Sequence, residues 1–260
     1  MMNTLALALT LLLAKHSLSA SLRDWHRDPE LLPNFFQGDL VKRPSMRANW
    51  RRNVISNTIY HWPNRTVFYF IENGTFDEPH LQYVRRAMHR IEKISCVKFV
   101  EASREQKYFV NITSDEVGCH CEDIGWRNHR TKVNIGLGAL DQGCFRMGSI
   151  IHELLHVLGF EHQHVAHNRD EYVRIVWENI NAENRINFHN NETYIGWNNY
   201  GEQYDYGSVM HYISNAFAKN ISQPTIVALK TGGSKMGQRR GLSKTDVRKL
   251  NKMYKCPGHV

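Results

Sequence analysis

The fold of this chain is decided by the stretch His152-Glu-Leu-Leu-His156-Val-Leu-Gly159-Phe-Glu-His162. His152 and His156 are four residues apart, so on a helix they lie on one face and can share a metal ion. Gly159 permits a sharp turn as the helix ends, which returns His162 as a third nitrogen ligand. Three protein ligands leave zinc one open position, which is the arrangement of a catalytic site. Glu153, beside the first ligand, is placed to act as general base towards a water molecule.

The alternative interpretation of this stretch is a surface helix in a histidine-rich sequence, because the chain contains 15 histidines. A surface helix requires neither a glycine nor a third histidine at fixed offsets from the first two. The presence of both Gly159 and His162 therefore favours the metal site. We predict one Zn²⁺ per chain.

A second motif, Tyr204-Asp-Tyr-Gly-Ser208-Val-Met210-His211-Tyr212, lies downstream. Together the two motifs resemble the metzincin metalloproteases, in which a Met-containing turn lies beneath the zinc. Gly-Phe-x-His in the first motif and Ser-Val-Met-His-Tyr in the second are similar to the astacin family. The resemblance covers nearly the whole chain after Arg52. It implies an α+β fold of two subdomains, with a twisted sheet and the zinc helix above a cleft and a less regular C-terminal subdomain below it.

The resemblance also implies roles for single residues. The family's zinc ligands match His152, His156 and His162, and its general base matches Glu153. Its fifth zinc ligand in the resting enzyme, which hydrogen-bonds the oxyanion during catalysis, matches Tyr212. Met210 is expected to pack beneath the site without binding the metal, and His211 is expected to be structural. The activity implied is hydrolysis of peptide bonds in protein or peptide substrates.

Three segments are expected along the chain: a signal peptide over residues 1–19, a propeptide over 20–52 and the catalytic domain over 53–260. An apolar run near the N terminus is too short to span a bilayer but suits a signal-peptide core. Phe36-Gln-Gly38-Asp39 is similar to the family's propeptide motif, whose aspartate binds the zinc and blocks the site; an ordinary Gly-Asp turn is the alternative. Cleavage after Arg52 by a trypsin-like protease is expected to release the active enzyme.

The N-terminal apolar run and the glycosylation sequons predict a secreted, extracellular glycoprotein. The candidate glycosylation sites are Asn64, Asn73, Asn111, Asn191 and Asn220. Five cysteines are expected to form disulfides in an oxidising compartment, with one left over. The resemblance implies a Cys96–Cys256 bond and favours Cys119–Cys144, which leaves Cys121 free or in an intermolecular bond. Pairing of Cys121 with Cys144, or a second zinc site made by Cys119, His120 and Cys121, are the alternatives.

The formal net charge of +8 does not indicate a nucleic-acid-binding protein. Much of the excess lies in the first 52 residues, which hold eight Lys and Arg against four Asp and Glu. No aromatic-basic binding module follows. No later stretch is long and apolar enough to predict a membrane span, and we expect a monomer.

Hydrophobic patterning predicts strands at 67–71, 97–100, 108–112 and 133–137 and a helix over 78–93. Periodicity is poor after Gly159, so little regular structure is expected there. The resemblance implies that strand 133–137 forms the upper rim of the cleft, where an extended substrate pairs with its edge.

Gln163 departs from the family pattern, which usually has Glu after the third zinc histidine. In the family that Glu meets the terminal ammonium formed when the propeptide is removed. A neutral Gln accepts a hydrogen bond but cannot form a buried ion pair. We therefore expect a weaker link between maturation and a settled active site.

These features predict a secreted zinc metalloendopeptidase made as a zymogen. One alternative is a non-catalytic secreted glycoprotein that uses the same scaffold for binding, which only Gln163 and Cys121 support. The other is a zinc hydrolase with a non-peptide substrate, which the zymogen design disfavours. Inhibition of casein cleavage by phenanthroline would discriminate between them.

Overall fold

A computed structural model of the chain describes residues 28–41, 58–189 and 199–258. The predicted signal peptide, the predicted cleavage site at Arg52 and the candidate glycosylation site Asn191 lie outside the described residues. Within the described ranges, no helix is long and apolar enough to cross a membrane.

The described residues include three α-helices, and each has a local reason to begin or end where it does. Helix α1, Glu78–Ile94, begins where the side chain of Asp77 accepts a hydrogen bond from the His80 backbone N–H at 3.0 Å. Helix α2, Met147–Leu158, ends at Gly159, which adopts a left-handed conformation with φ of 109°. Helix α3, Lys244–Met253, begins with a capping box between Ser243 and Asp246.

Five strands form the main sheet in the order β2-β1-β3-β5-β4. Strand β1 is parallel to both β2 and β3, and β3 is parallel to β5, whereas β4 runs antiparallel to β5. A separate two-stranded antiparallel sheet joins β6 to β7. The strand bounds are Thr66–Phe70 for β1, Lys98–Glu101 for β2, Val110–Thr113 for β3, Cys119–Cys121 for β4, Thr131–Ile135 for β5, Val173–Ile175 for β6 and Ile226–Ala228 for β7.

The predicted helix over 78–93 and the four predicted strands are confirmed, each shifted by no more than a few residues. One prediction is wrong. Strand β5 is not an edge, because it pairs with β3 on one side and β4 on the other, so β4 is the edge strand at this end of the sheet. The region after Gly159 is largely irregular as predicted, but it also contains helix α3.

The predicted α+β architecture of two subdomains is visible as two separate clusters of buried side chains. The first cluster lies between the main sheet and helices α1 and α2, and includes Ile91, Val133 and Leu155. The second surrounds the small sheet and includes Phe188 and Tyr212. The cleft lies where the two clusters meet, and the histidines of the first motif lie there.

Both expected disulfides are present. Cys96 is bonded to Cys256 and Cys119 to Cys144, and Cys121 is free and buried. Because Cys119 is bonded to Cys144, the alternative second zinc site and the alternative Cys121–Cys144 bond are both wrong.

The N-terminal segment, residues 28–41, lies in the cleft and pairs with the sheet edge. Leu40 forms a parallel bridge with Cys121 of β4, and the Cys121 backbone N–H donates to the Asp39 carbonyl at 2.8 Å. At Gly38, where φ is 80°, an added Cβ would lie 2.5 Å from the Glu30 carbonyl oxygen, so only glycine fits. The edge strand that could receive an extended substrate is therefore covered by the chain itself.

Candidate metal centre

Three histidines and one aspartate converge at the cleft. His152 and His156 lie one turn apart on α2, and the turn at Gly159 returns His162 towards them, so that all three are fully buried. The Nε2 atoms of His152 and His162 are 3.2 Å apart. Each of these two atoms lies 3.0 Å from Oδ2 of Asp39 in the N-terminal segment, and His156 Nε2 lies 3.6 Å from Oδ1. We call Asp39, His152, His156 and His162 the metal centre.

The other ring nitrogen of each histidine has a fixed partner. His152 Nδ1 donates to the Val209 carbonyl at 2.9 Å, and His156 Nδ1 donates to the Phe160 carbonyl at 2.8 Å. His162 Nδ1 donates to the side-chain oxygen of Gln37 at 2.7 Å. These bonds place the protons on Nδ1 and leave the Nε2 lone pairs directed at the centre, which is the tautomer that a metal requires.

The residues fit a zinc ion. The ligand atoms all lie within 4.8 Å of one another, and a tetrahedral zinc site separates its ligand atoms by about 3.3 Å. Asp39 Oδ1 and His156 Nε2 are buried with no hydrogen-bond partner among the described residues, which a bound cation would satisfy. Burial raises the pKa of Asp39, but its interactions with the His162 and His156 imidazoles outweigh burial and hold the pKa of this carboxyl well below its usual value.

Glu153 lies beside the first histidine and is fully buried. Neither of its carboxylate oxygens has a hydrogen-bond partner in the described part of the chain, so both are available to a water molecule or a substrate. Burial raises the pKa of Glu153 well above its usual value, and the negative charge of Asp39 raises it further. A carboxyl whose pKa is raised in this way accepts a proton more readily than a free carboxyl does, which is what a general base requires.

Tyr212 contacts the N-terminal segment. Its hydroxyl donates to the Gln37 backbone carbonyl at 2.5 Å, and its ring stacks on His164 with centroids 3.7 Å apart. The ring centroids of Tyr212 and His162 are 5.0 Å apart, so the Tyr212 side chain lies beside the metal centre.

Met210 and His211 form a support beneath the centre. Met210 is buried in the first cluster, and its carbonyl accepts from the Gln163 backbone N–H at 2.9 Å. Both ring nitrogens of His211 are hydrogen-bonded, one to the Tyr204 hydroxyl at 2.7 Å and the other to the Tyr212 carbonyl at 2.7 Å. His211 is therefore engaged within the protein, as the sequence predicts.

The N-terminal segment makes a second buried contact that the sequence did not predict. Arg239 Nε donates to Glu30 at 2.5 Å, and Arg146 lies 3.4 Å from Asp28. Burial opposes ionisation of Glu30, but the guanidinium of Arg239 lowers its pKa to about 2. Because the partners lie about 200 residues apart and belong to no motif, no local signal could have identified this pair.

Gln163, the residue that departs from the family pattern, has a partner inside the chain. Its side-chain oxygen accepts a hydrogen bond from the ammonium of Lys249 on α3 at 2.8 Å.

Among the candidate glycosylation sites that the structure describes, Asn64, Asn73 and Asn220 are exposed, whereas Asn111 is half-buried in β3.

Histidines arranged in this way, on a helix and the turn that follows it, define the class of zinc metalloendopeptidases. The sequence model of the peptidase family described as Astacin matches residues 54–255. The chain belongs to the astacin family.

Relatives and solved structures agree with this assignment. The chain is 52% identical to Seminal metalloprotease 1 of Drosophila melanogaster over 235 residues, which cover 90% of this chain and 92% of that protein. It is 37% identical to the Astacin-like metalloendopeptidase of Gallus gallus over 85% of this chain, and it spans about half the length of that relative (51%). The structure is similar to High choriolytic enzyme 1 of Oryzias latipes, a hatching enzyme zinc-protease, with a TM-score of 0.68 and 30% identity over 77% of this chain and 96% of that one. The chain is thus a zinc metalloendopeptidase with one zinc ion as its cofactor.

Proposed function

We propose that this protein is a secreted endopeptidase made as a latent precursor, in which His152, His156 and His162 hold the zinc and Glu153 is the general base. The observation that carries the proposal is the metal centre itself. Three imidazoles converge on one point, and the carboxylate that completes the set comes from the N-terminal segment, 3.0 Å from two of them. A ligand supplied from outside the domain is one that can be removed.

Zinc supplies Lewis acidity to this centre when bound, lowering the pKa of a water molecule and polarising the scissile carbonyl. Glu153 takes the proton of the attacking water and passes it to the departing amine. Its oxygens have no hydrogen-bond partner among the described residues, so they can serve both steps. Tyr212 donates its hydroxyl to the oxyanion, and its present bond to the Gln37 carbonyl supports this role, because the acceptor is already a peptide oxygen.

Latency follows from what the N-terminal segment occupies. Asp39 lies where a water molecule and the substrate carbonyl would bind. Gln37 accepts hydrogen bonds from His162 through its side-chain oxygen and from Tyr212 through its backbone carbonyl. Leu40 bridges to the sheet edge that an extended substrate would need. Cleavage after Arg52 by a trypsin-like protease removes the covalent link between the segment and the domain, so that the segment can dissociate, and the mature enzyme begins near Asn53.

Secretion and glycosylation are part of the same proposal. The signal peptide, residues 1–19, directs the chain out of the cell, where the two disulfides form. The sequons at Asn64, Asn73, Asn111, Asn191 and Asn220 are the candidate acceptors. The names of the Drosophila and medaka relatives refer to seminal and hatching proteases, and the substrates proposed here are likewise proteins or peptides outside the cell.

The test is proteolysis of casein by the recombinant full-length chain before and after trypsin, with Glu153→Ala alongside. We expect activity only after trypsin, none in the variant, one zinc per chain in both proteins and inhibition by phenanthroline. N-terminal sequencing of the active form should begin at Asn53. A trypsin-treated chain that holds zinc but cleaves nothing, even after dilution, would contradict the proposal and favour a binding scaffold.

A further inference from the structure

Helix α3 carries a buried cation that contacts the loop of the third histidine. Lys249 is 7% exposed, and its ammonium donates to the side-chain oxygen of Gln163, which is 4% exposed. Gln163 directly follows His162, and its backbone N–H donates to the Met210 carbonyl at 2.9 Å. The residue next to His162 is therefore held at two points, one on the main chain and one on the side chain.

The same face of α3 also holds the loop behind His152. Asp246 lies three residues before Lys249 and accepts from the Ser208 hydroxyl at 2.7 Å and from the Val209 backbone N–H at 2.9 Å. The Val209 carbonyl in turn accepts the proton on His152 Nδ1 at 2.9 Å. One turn of α3 thus supports two of the three histidines, through Val209 for the first and through Gln163 for the third.

Burying an ammonium is costly unless it is hydrogen-bonded, so Lys249 needs a fixed partner. Burial lowers the pKa of Lys249, against the opposing charges of Asp246, Asp205 and Glu202. The Gln163 amide nitrogen has no hydrogen-bond partner among the residues described, so its oxygen bond to Lys249 is what orients the side chain. Losing the ammonium would leave this buried amide free to turn and the loop of His162 less restrained.

We infer that Lys249 is a positioning residue for the metal centre: through Gln163 it holds the loop that places the His162 imidazole on the zinc. This inference rests on the proposed ligand set. Lys249, on the C-terminal helix α3, would restrain the metal centre wherever the mature chain begins.

The test measures zinc binding by the full-length chain in competition with a chromophoric chelator, and the visible spectrum of the Co²⁺-substituted protein. Lys249→Met is expected to weaken zinc binding about tenfold and to change the Co²⁺ bands, as changes behind a metal ligand do. The matched control is Lys252→Met on the same helix. Lys252 donates to Glu202 and to the Tyr200 carbonyl, so its loss should leave zinc binding within about twofold of wild type.

A double-mutant cycle tests whether the Gln163 contact carries the effect. If it does, Gln163→Leu, Lys249→Met and the double variant should each lose about tenfold in zinc binding, whereas independent effects would give about a hundredfold loss in the double variant. Additive losses, unchanged binding in Lys249→Met, or an equal loss in Lys252→Met would each overturn the inference. His162→Ala separates this from the ligand assignment: if it binds zinc as tightly as wild type, the proposed ligand set is wrong.

Discussion

Tyr212 donates its hydroxyl to a peptide carbonyl, but that carbonyl belongs to Gln37 of its own chain. In the cleaved enzyme the same donor is expected to serve the transition state. Tyr212→Phe should lower kcat about a hundredfold, with little change in KM, because a donor to the developing oxyanion is lost while the substrate contacts remain. The measurement is steady-state cleavage of a fluorogenic peptide by the trypsin-treated chain.

Tyr83→Phe is the control for this variant, because Tyr83 lies on helix α1 and its hydroxyl bonds Asp141, which is not one of the four residues of the metal centre. Both variants should retain one zinc per chain. If Tyr212→Phe raised KM and left kcat unchanged, Tyr212 would be assigned to substrate binding instead. If the variant lost its zinc, Tyr212 would be assigned to metal retention.

The three histidines and Glu153 could be predicted from the sequence because their geometry is local: one turn of helix and one glycine turn bring them together. Asp39 lies in one cluster with the three histidines, and the resemblance of its short motif to a propeptide motif had identified it as a candidate ligand. Gln37 and Lys249 could not be found in this way, because each meets its partner across more than 80 residues of chain and neither belongs to a spacing pattern.

At the scale of elements, the N-terminal segment is held by two buried charge sites, Asp39 at the metal centre and Glu30 at Arg239. Glu30→Gln should weaken docking of the segment by about 2 kcal/mol or more, because Arg239 keeps its buried charge without a charged partner. The uncleaved chain should then show basal peptidase activity at least about thirtyfold above wild type, and still below that of Asp39→Ala.

Basal hydrolysis of a fluorogenic peptide, measured without trypsin, checks this prediction. Glu72→Gln is the matched control, since Glu72 pairs with Arg104 on the exposed surface. Equal basal activity in Glu30→Gln and Glu72→Gln would mean that Asp39 alone keeps the chain latent.

The elements that the sequence did not predict had weak patterns. Strand β4 is only three residues long and buried throughout, so it shows no alternation of polar and apolar positions. Helix α3 is mostly polar, yet it has a capping signal in Ser243 and Asp246 and apolar residues at Val247, Leu250 and Met253. The capping residues and the three apolar positions would have supported the prediction of a helix, but the poor hydrophobic periodicity of the surrounding sequence concealed them.

At the scale of the whole molecule, the two disulfides close loops of very different length. The bonded cysteines are 160 residues apart in Cys96–Cys256 and 25 apart in Cys119–Cys144. Loop-closure entropy gives about 5 kcal/mol for the first and about 3.5 kcal/mol for the second. Replacing both cysteines of the longer loop by serine should therefore lower the urea midpoint more than the same change in the shorter one.

Equilibrium urea unfolding of the two double-serine variants checks this order. Cys121→Ser is the control, because Cys121 forms no disulfide and its replacement leaves both loops closed. A larger loss from the shorter loop would mean that strain or residual structure, and not loop length, governs the stabilisation.

Acid should destabilise the folded chain partly through Glu202. A hydrogen bond from Arg248, opposed by burial and reinforced by Lys252, lowers the pKa of Glu202 from 4.5 to about 2. Because the pKa of Glu202 is lower in the folded state, its ionised carboxylate stabilises the fold at pH values above the unfolded pKa of 4.5. This stabilisation should be lost as the pH falls from 4.5 to about 2. The Tm of Glu202→Gln should therefore fall less steeply than that of wild type across this range.

Thermal unfolding at a series of pH values measures the difference between the two proteins, and metal release at low pH affects both alike. Glu178→Gln, a change at an exposed carboxylate, should follow wild type. Parallel curves for Glu202→Gln and wild type would show that this carboxylate does not contribute to the acid sensitivity of the fold.

The contacts of the N-terminal segment with the cleft have a consequence for how activation proceeds. Its contacts at Asp39, Glu30 and Leu40 all lie before residue 42, so a cut after Arg52 breaks none of them. The proposed cut would instead convert a tethered ligand, present at an effective concentration of about millimolar, into a free peptide. If the proposed latency holds, the cleaved protein should remain inhibited while it is stored concentrated and become active when it is diluted, so that dilution as well as proteolysis would set the moment of activation.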